Sequence, residues 1–235
     1  MQIHKFILPA LFLASSAYAD LFSDYQSETI LVYQGKENAK NIDEKYCKKG
    51  LIEACISQAN SLEELNSFEK QYQNACLNKE AKACDYELLI LHNKIGIFTK
   101  NAIKNKDAKE LQKATALYDT MTNLPNIRPS LKSSIYKAYY LLASTNESLK
   151  TKEDKSERLN YAINTAKQSI DFYTKEQNSN LKSLELYQAY HFLSKLGDKN
   201  FQKVFGDTKE FKNLQENHKT YLEKETQYRN QLWNL

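Results

Sequence analysis

The four cysteines of this 235-residue chain form two pairs with the same spacing, C-x7-C: Cys47 with Cys55, and Cys76 with Cys84. An even number of cysteines in an exported chain indicates disulfides, and four cysteines allow three connectivities. On one unbroken helix, cysteines eight residues apart would stand about 12 Å apart, whereas a disulfide needs Cα atoms within about 7 Å. A bridge within each pair therefore requires the chain to reverse direction between its cysteines.

Each pair thus predicts a helical hairpin closed by a local disulfide, Cys47–Cys55 and Cys76–Cys84. Gly50 in the first pair and Asn78 in the second are candidates to end the first helix. Closing a loop of about nine residues should stabilise the fold by roughly 2–3 kcal/mol. Zinc sites usually use C-x2–4-C and redox sites C-x-x-C, so this spacing favours a structural role over either.

The N-terminus has the pattern of a secretory signal peptide over residues 1–19. A basic start is followed by an apolar stretch over residues 6–14 and by the sequence Ala17-Tyr18-Ala19. Cleavage is expected after Ala19, and Asp20 stands where a lipoprotein would have cysteine. No later segment has the ~20 apolar residues of a membrane-spanning helix. These features predict a periplasmic or secreted protein of a Gram-negative-type cell, without a membrane span.

Composition and periodicity predict an all-α fold. The chain has only 5 Gly and 3 Pro, while good helix formers are abundant. Ser61 and Glu64 form a capping-box pattern that should begin a helix, and residues 21–33 favour a helix over a short strand. Apolar periodicity predicts further helices over about 102–122, 130–149, 159–173, 181–196 and 209–233.

The two cysteine pairs also indicate a repeat, because Cys47, Ala54 and Cys55 recur 29 residues later as Cys76, Ala83 and Cys84. Such periods are typical of stacked helical hairpins. The stretch YQNACLNKEAKACDYELLILHNKIG resembles a repeat of the Sel-one-like class, especially the Helicobacter cysteine-rich proteins, with matches at Cys76, Ala83, Cys84, Leu88 and Gly96. The resemblance implies an α-solenoid of antiparallel hairpins, and it brings penicillin binding and β-lactam hydrolysis as an expected activity.

The C-terminal part has a second, weaker resemblance. Small residues at Ala162, Ala166 and Ser169 resemble the second helix of a tetratricopeptide repeat. We therefore expect three segments: the signal peptide at 1–19, disulfide-linked helical repeats at 20–98, and a tetratricopeptide-like helical region at 99–235.

The sequence predicts no catalytic residue, no metal site and no cofactor. The motif S-x-x-K of serine β-lactamases occurs at Ser67, Ser134 and Ser179, but about two such matches are expected by chance, and neither S-D-N nor K-T-G accompanies them. The histidines after the signal peptide stand alone in helical segments, without the H-E-x-x-H spacing. Phosphate-binding loops are excluded by the scarcity of glycine.

The charge pattern and the tyrosine content indicate which kinds of partner the protein could bind. The formal net charge is +4 with interspersed Lys and Glu and no basic patch, so a nucleic-acid partner is not expected. Tyrosines cluster in two predicted helices, where they either pack in a core or line a groove for a protein or peptide: Tyr136, Tyr139, Tyr140, Tyr187 and Tyr190. The leading hypothesis is a scaffold or adaptor of the cell envelope or host interface, the alternative is β-lactam binding, and a peptidoglycan-associated role is the third.

Overall fold

The computed structural model describes residues 21–153 and 156–233, and every regular element within them is helical. The all-α prediction is therefore confirmed for these residues, while the signal peptide and Ala19 lie outside them. Two compact units divide between Gln58 and Ala59. The boundary expected after residue 98 stays a prediction, and it falls within one continuous helix.

The first unit contains α1 (21–33), α2 (Ala39–Lys48) and α3 (Ile52–Gln58). The second contains two short 3-10 turns, at Pro129–Leu131 and Lys199–Phe201, and nine α-helices in its described residues: α4 (Leu62–Leu77), α5 (Ala81–Asn105), α6 (Ala108–Thr122), α7 (Ser133–Leu149), α8 (Ser156–Tyr173), α9 (Ser179–Leu196), α10 (Gln202–Phe205), α11 (Lys209–Glu216) and α12 (His218–Trp233).

Both hairpins have the local pairing that the spacing predicts. Sγ atoms of Cys47 and Cys55 are joined between α2 and α3, and those of Cys76 and Cys84 between α4 and α5. In the first hairpin Gly50 has φ +89°, the left-handed region that glycine adopts without strain.

In the second hairpin Asn78 ends the first helix as expected, and the left-handed residue follows it. Asn78 has φ −80° and caps α4, whereas Lys79 has φ +65°. Lys79 stands three residues after Cys76, as Gly50 stands three after Cys47. The two hairpins therefore share a backbone turn in which only one has glycine.

The second unit is built by packing between helices that are close in the chain. Helix α5 packs against α4, α6 and α7; α8 packs against α7 and α9; and α9 packs against α12. The core along these contacts is formed by fully buried apolar and aromatic side chains: Leu88, Leu91, Ala114, Tyr118, Leu142, Ala166, Leu186, Leu193 and Phe211.

The helix boundaries differ at two places from those that the apolar periodicity predicts. The helix expected over 102–122 is two helices, because Lys106 has φ +52° and the Asp107 side chain caps α6 by accepting from the backbone of Lys109 (2.8 Å). The helix expected over 209–233 is also two helices, with the break at Asn217. Ser61 caps α4 as expected, because its hydroxyl accepts from the backbone N–H of Glu64 (3.2 Å). The Glu64 carboxylate accepts from the backbone N–H of Asn60 (3.0 Å), one residue before the position that a capping box uses.

The left-handed turn in the second hairpin makes a stability prediction. Lys79→Gly should raise the free energy of unfolding by about 1 kcal/mol, because a side chain in this region is strained and glycine is not. Gly50→Lys should lower it by a similar amount. Urea unfolding of the oxidised protein measures both changes, and Lys79→Ala, which keeps the Cβ atom, is the matched control. Equal stability of the glycine and alanine variants at position 79 would contradict the strain argument.

Candidate binding groove

Helix α8 has one buried face of small and aliphatic residues, which lets its neighbours approach closely. Leu159, Ala162 and Ala166 are fully buried, and Ser169 nearly so. The opposite face is exposed and rich in side-chain amides, and it also carries a lysine, an aspartate and a tyrosine: Asn160, Tyr161, Asn164, Lys167, Gln168 and Asp171. The buried face fixes the helix and thereby holds the amide face in place.

One side of this face borders a groove of about 510 Å³, here called the loop groove. Its other wall is formed by the start of α7 and by the segment 123–128, here called the 123–128 loop, which connects α6 to the turn at Pro129. The groove is lined by Leu124, Asn126, Ile127, Lys132, Ile135, Tyr161, Asn164, Thr165 and Gln168.

Two hydrogen bonds join the walls of the loop groove. The Lys132 ammonium donates to the side-chain oxygen of Gln168 (2.8 Å), and the Tyr161 hydroxyl donates to the carbonyl oxygen of Thr122 (3.2 Å). Both bonds link α8 to the chain on either side of the 123–128 loop. They hold polar side chains in defined positions along the groove.

The other side of the α8 face borders a second groove of about 390 Å³, here called the C-terminal groove. Helices α11 and α12 supply its far wall. It is lined by Asn160, Ile163, Asn164, Lys167, Lys209, Glu210, Asn213, Leu214, Asn217 and Tyr221. Asn164 lines both grooves, so they adjoin at this residue.

The two linings have the chemistry of binding surfaces. Asparagine and glutamine side chains each offer a hydrogen-bond donor and an acceptor, as does the peptide group. Lys132, Lys167 and Lys209 add three positive charges, and among the described residues Glu210 is the acidic member of the two linings. The hydroxyl of Thr165 donates to the backbone carbonyl of Tyr161 (2.8 Å).

A third pocket of about 420 Å³ lies beside Arg158. The Arg158 guanidinium donates to both carboxylate oxygens of Asp119 (2.7 Å each) and to Glu153 (2.8 Å), and these bonds raise the pKa of Arg158 above its usual value. The guanidinium is thus engaged by two carboxylates of the protein itself. This cluster therefore joins α8 to α6 and to the preceding loop, a structural role.

The structure divides the five tyrosines expected at a partner surface. Tyr136 and Tyr139 are fully buried, and their rings pack against Phe192 (centroids 5.0 Å apart) and Tyr118 (5.4 Å) respectively. Both are core residues, so the prediction that they line a partner surface is wrong for these two. The reason is that α7 packs on several other helices, and both rings point into these contacts.

The other three tyrosines are partly exposed. Tyr140 packs against Phe201, and Tyr187 against His191. The Tyr190 ring stacks on Tyr228 with centroids 5.8 Å apart and lies 6.4 Å from Tyr221. Because Tyr221 lines the C-terminal groove, Tyr190 belongs to an aromatic cluster next to that groove, although it does not line it.

The S-x-x-K motif at Ser134 lies in a buried polar cluster between helices. The Lys137 ammonium is 3.3 Å from the hydroxyl of Ser133, the residue before the motif serine. His92 donates from Nδ1 to the backbone carbonyl of Ser134 (3.0 Å), and burial lowers the pKa of His92 to about 4. Glu185 of α9 is buried close to Lys137, and its burial raises its pKa. In the described residues no group of three or more His, Cys, Asp or Glu side chains is arranged to hold a metal ion.

Comparison with protein-family models, curated proteins and solved structures finds no match to this chain. Across residues 21–153 and 156–233, no helix combines the length and apolar character needed to cross a membrane. The assignment of function therefore depends on the grooves themselves.

A buried carboxyl on α5 makes a pH prediction. Burial, together with the nearby Glu69 charge, raises the pKa of Glu87 to about 7, although Lys94 opposes the shift. The unfolded chain then loses this proton first as pH rises from about 4.5 to 7, so the folded state loses stability across this interval. Glu87→Gln cannot ionise, and its stability relative to wild type should be greater at pH 8 than at pH 5 by about 1–3 kcal/mol.

Urea unfolding at both pH values measures this difference. Glu63→Gln, on the exposed surface of α4, controls for the removal of one negative charge. A stability difference between wild type and Glu87→Gln that is the same at pH 5 and pH 8 would contradict the elevated pKa.

Proposed function

We propose that this protein is an exported helical scaffold that binds an extended segment of a partner protein across the exposed face of α8. The single observation that carries the proposal is that Asn164 lies where two amide-lined, lysine-bearing grooves adjoin. We also propose that the second unit is an α-solenoid. In support, helices α4 to α9 mostly pack on their chain neighbours, and α7 also packs on α5 and α9.

Groove chemistry supports a peptide as the occupant. An extended segment presents a repeating series of N–H and C=O groups, and a side-chain amide can pair with the N–H and the C=O of one residue, which point to the same side of the strand. Asn160, Asn164 and Gln168 stand at helical spacings of four, so their amides follow one line along α8. Helical repeat proteins commonly use such surfaces for partners.

An oxidising compartment is part of the proposal. Both disulfides are local, and all four cysteines of the chain take part in them. Disulfides persist in periplasmic and secreted proteins and are rare in the cytosol. The proposed site of action is therefore the periplasm or the exterior of a Gram-negative-type cell, where an envelope or host protein would supply the bound segment.

Selection from a displayed random-peptide library tests this function. Peptides enriched on the oxidised protein should bind at least ten-fold more weakly to Asn164→Trp, because the indole fills the junction of the two grooves and removes the amide. Asn66→Trp, an equally drastic change on the exposed surface of α4, should bind like wild type. Affinities are measured by titration calorimetry, with circular dichroism as the folding check. Failure to enrich any peptide, or equal binding by both variants, would count against the proposal.

The second candidate is β-lactam binding or weak hydrolysis, which the cysteine-rich repeat resemblance implies. One observation favours it, namely that Lys137 lies within hydrogen-bond distance of a serine hydroxyl next to the S-x-x-K motif. Against it, Ser133 and Ser134 are both buried and the contact involves Ser133 instead of the motif serine.

A nitrocefin assay separates the two candidates. The scaffold proposal predicts the same background rate for wild type, Ser134→Ala and Ser133→Ala. Hydrolysis by the wild type that is lost in either serine variant, with folding intact, would favour the β-lactam function instead.

A further inference from the structure

Part of the wall of the loop groove that faces α8, the 123–128 loop, has no regular structure of its own. The 123–128 loop runs between α6 and the turn at Pro129, includes Pro125, and places Asn126 at φ +56°. Three of its side chains nevertheless line the groove: Leu124, Asn126 and Ile127. A wall of this kind keeps its shape only if other parts of the protein hold it.

The first support is the second disulfide. Cys76, Ala83 and Cys84 form a buried cluster, and Leu124 and Ile127 pack against it. The same two side chains also line the loop groove. The cluster that contains the disulfide therefore supports two of the side chains that line the groove.

The second support is the residue that follows the disulfide. Asp85 is almost completely buried, and its carboxylate accepts a hydrogen bond from the backbone N–H of Arg128 (3.0 Å). The Arg128 guanidinium also donates to the same carboxylate. The end of the 123–128 loop is thus attached through both main chain and side chain to the start of α5, 43 residues earlier.

We propose that the Cys76–Cys84 disulfide and Asp85 are positioning elements of the loop groove, which set the shape that its partner segment recognises. This inference rests on the proposed function and extends it to residues that do not touch the bound segment. The Cys47–Cys55 disulfide closes a loop of the same length but belongs to the other compact unit, and neither groove is lined by residues 21–58, the described part of that unit. The chain therefore carries its own matched control.

The experiment compares Cys76→Ala/Cys84→Ala with Cys47→Ala/Cys55→Ala. It also compares Asp85→Ala with Asp119→Ala, which breaks the ion pair with Arg158 in the same unit at a carboxylate that is more exposed than Asp85. Hydrogen exchange is followed by nuclear magnetic resonance at the amides of Leu124 and Arg128. We expect exchange at both amides to be at least ten-fold faster in the Cys76/Cys84 and Asp85 variants and nearly unchanged in the two controls. The library-selected peptide should bind at least five-fold more weakly to the first two variants alone.

The outcomes separate this inference from the proposed function. If no peptide binds the wild type, the proposed function fails, while the exchange data still judge the positioning role. Unchanged exchange at Leu124 and Arg128 in the first two variants, or equal acceleration after removal of either disulfide, overturns the inference. If the Cys76/Cys84 variant does not fold, the comparison of Asp85→Ala with Asp119→Ala decides.

Discussion

A disulfide between cysteines eight residues apart is the constraint on which the second unit depends. Because a continuous helix would separate such cysteines too widely, α4 must end and α5 must start between Cys76 and Cys84. The reversal brings Asp85 and Ala83 to the beginning of α5, where they meet the chain that follows α6. A local bond close to the start of the unit thereby fixes the position of a loop more than forty residues later.

From that point the architecture leads to the α8 face by ordinary packing. Helix α7 begins directly after the turn at Pro129, and α8 packs against α7 through its small residues. Small side chains bring helix axes close together, and the neighbouring segments then stand beside the larger polar residues of α8. The grooves on either side of Asn164 follow from this arrangement, and they combine fixed walls with amide and ammonium groups that face solvent.

Much of this fold could be predicted from the sequence because the relevant signals are local. Cysteine spacing gives the hairpins, Ser61 with Glu64 gives the start of α4, and glycine and proline scarcity excludes a sheet. The conformation or role of a single residue is harder to predict when its side chain does not indicate it. Lys79 adopts a left-handed backbone conformation, which a lysine side chain does not favour. The disulfide and the helix that follows impose this conformation. Asp107 resembles any charged surface residue until its capping bond is seen.

The candidate site was harder to predict, because it is made by contacts between distant segments. The pattern of α7 is the same whether Tyr136 and Tyr139 face a partner or a second layer of helices. Burial is decided by the packing of α9 on Tyr136 and of α6 on Tyr139. Asn160, Asn164 and Lys167 were visible as the polar side of α8, but a polar face alone indicates only solvent. Their significance comes from the walls that α7, α11 and the 123–128 loop place beside them.

Photo-crosslinking in the cells that produce the protein tests the central claim most directly. A photoreactive amino acid is placed at position 164 in one strain and at position 66 in another, and adducts are mapped by mass spectrometry. If a partner segment binds across the α8 face, position 164 should give a discrete adduct to a protein segment, and position 66 should give no adduct of the same mass. Absence of any protein adduct at 164, or the same adducts from both positions, would contradict it.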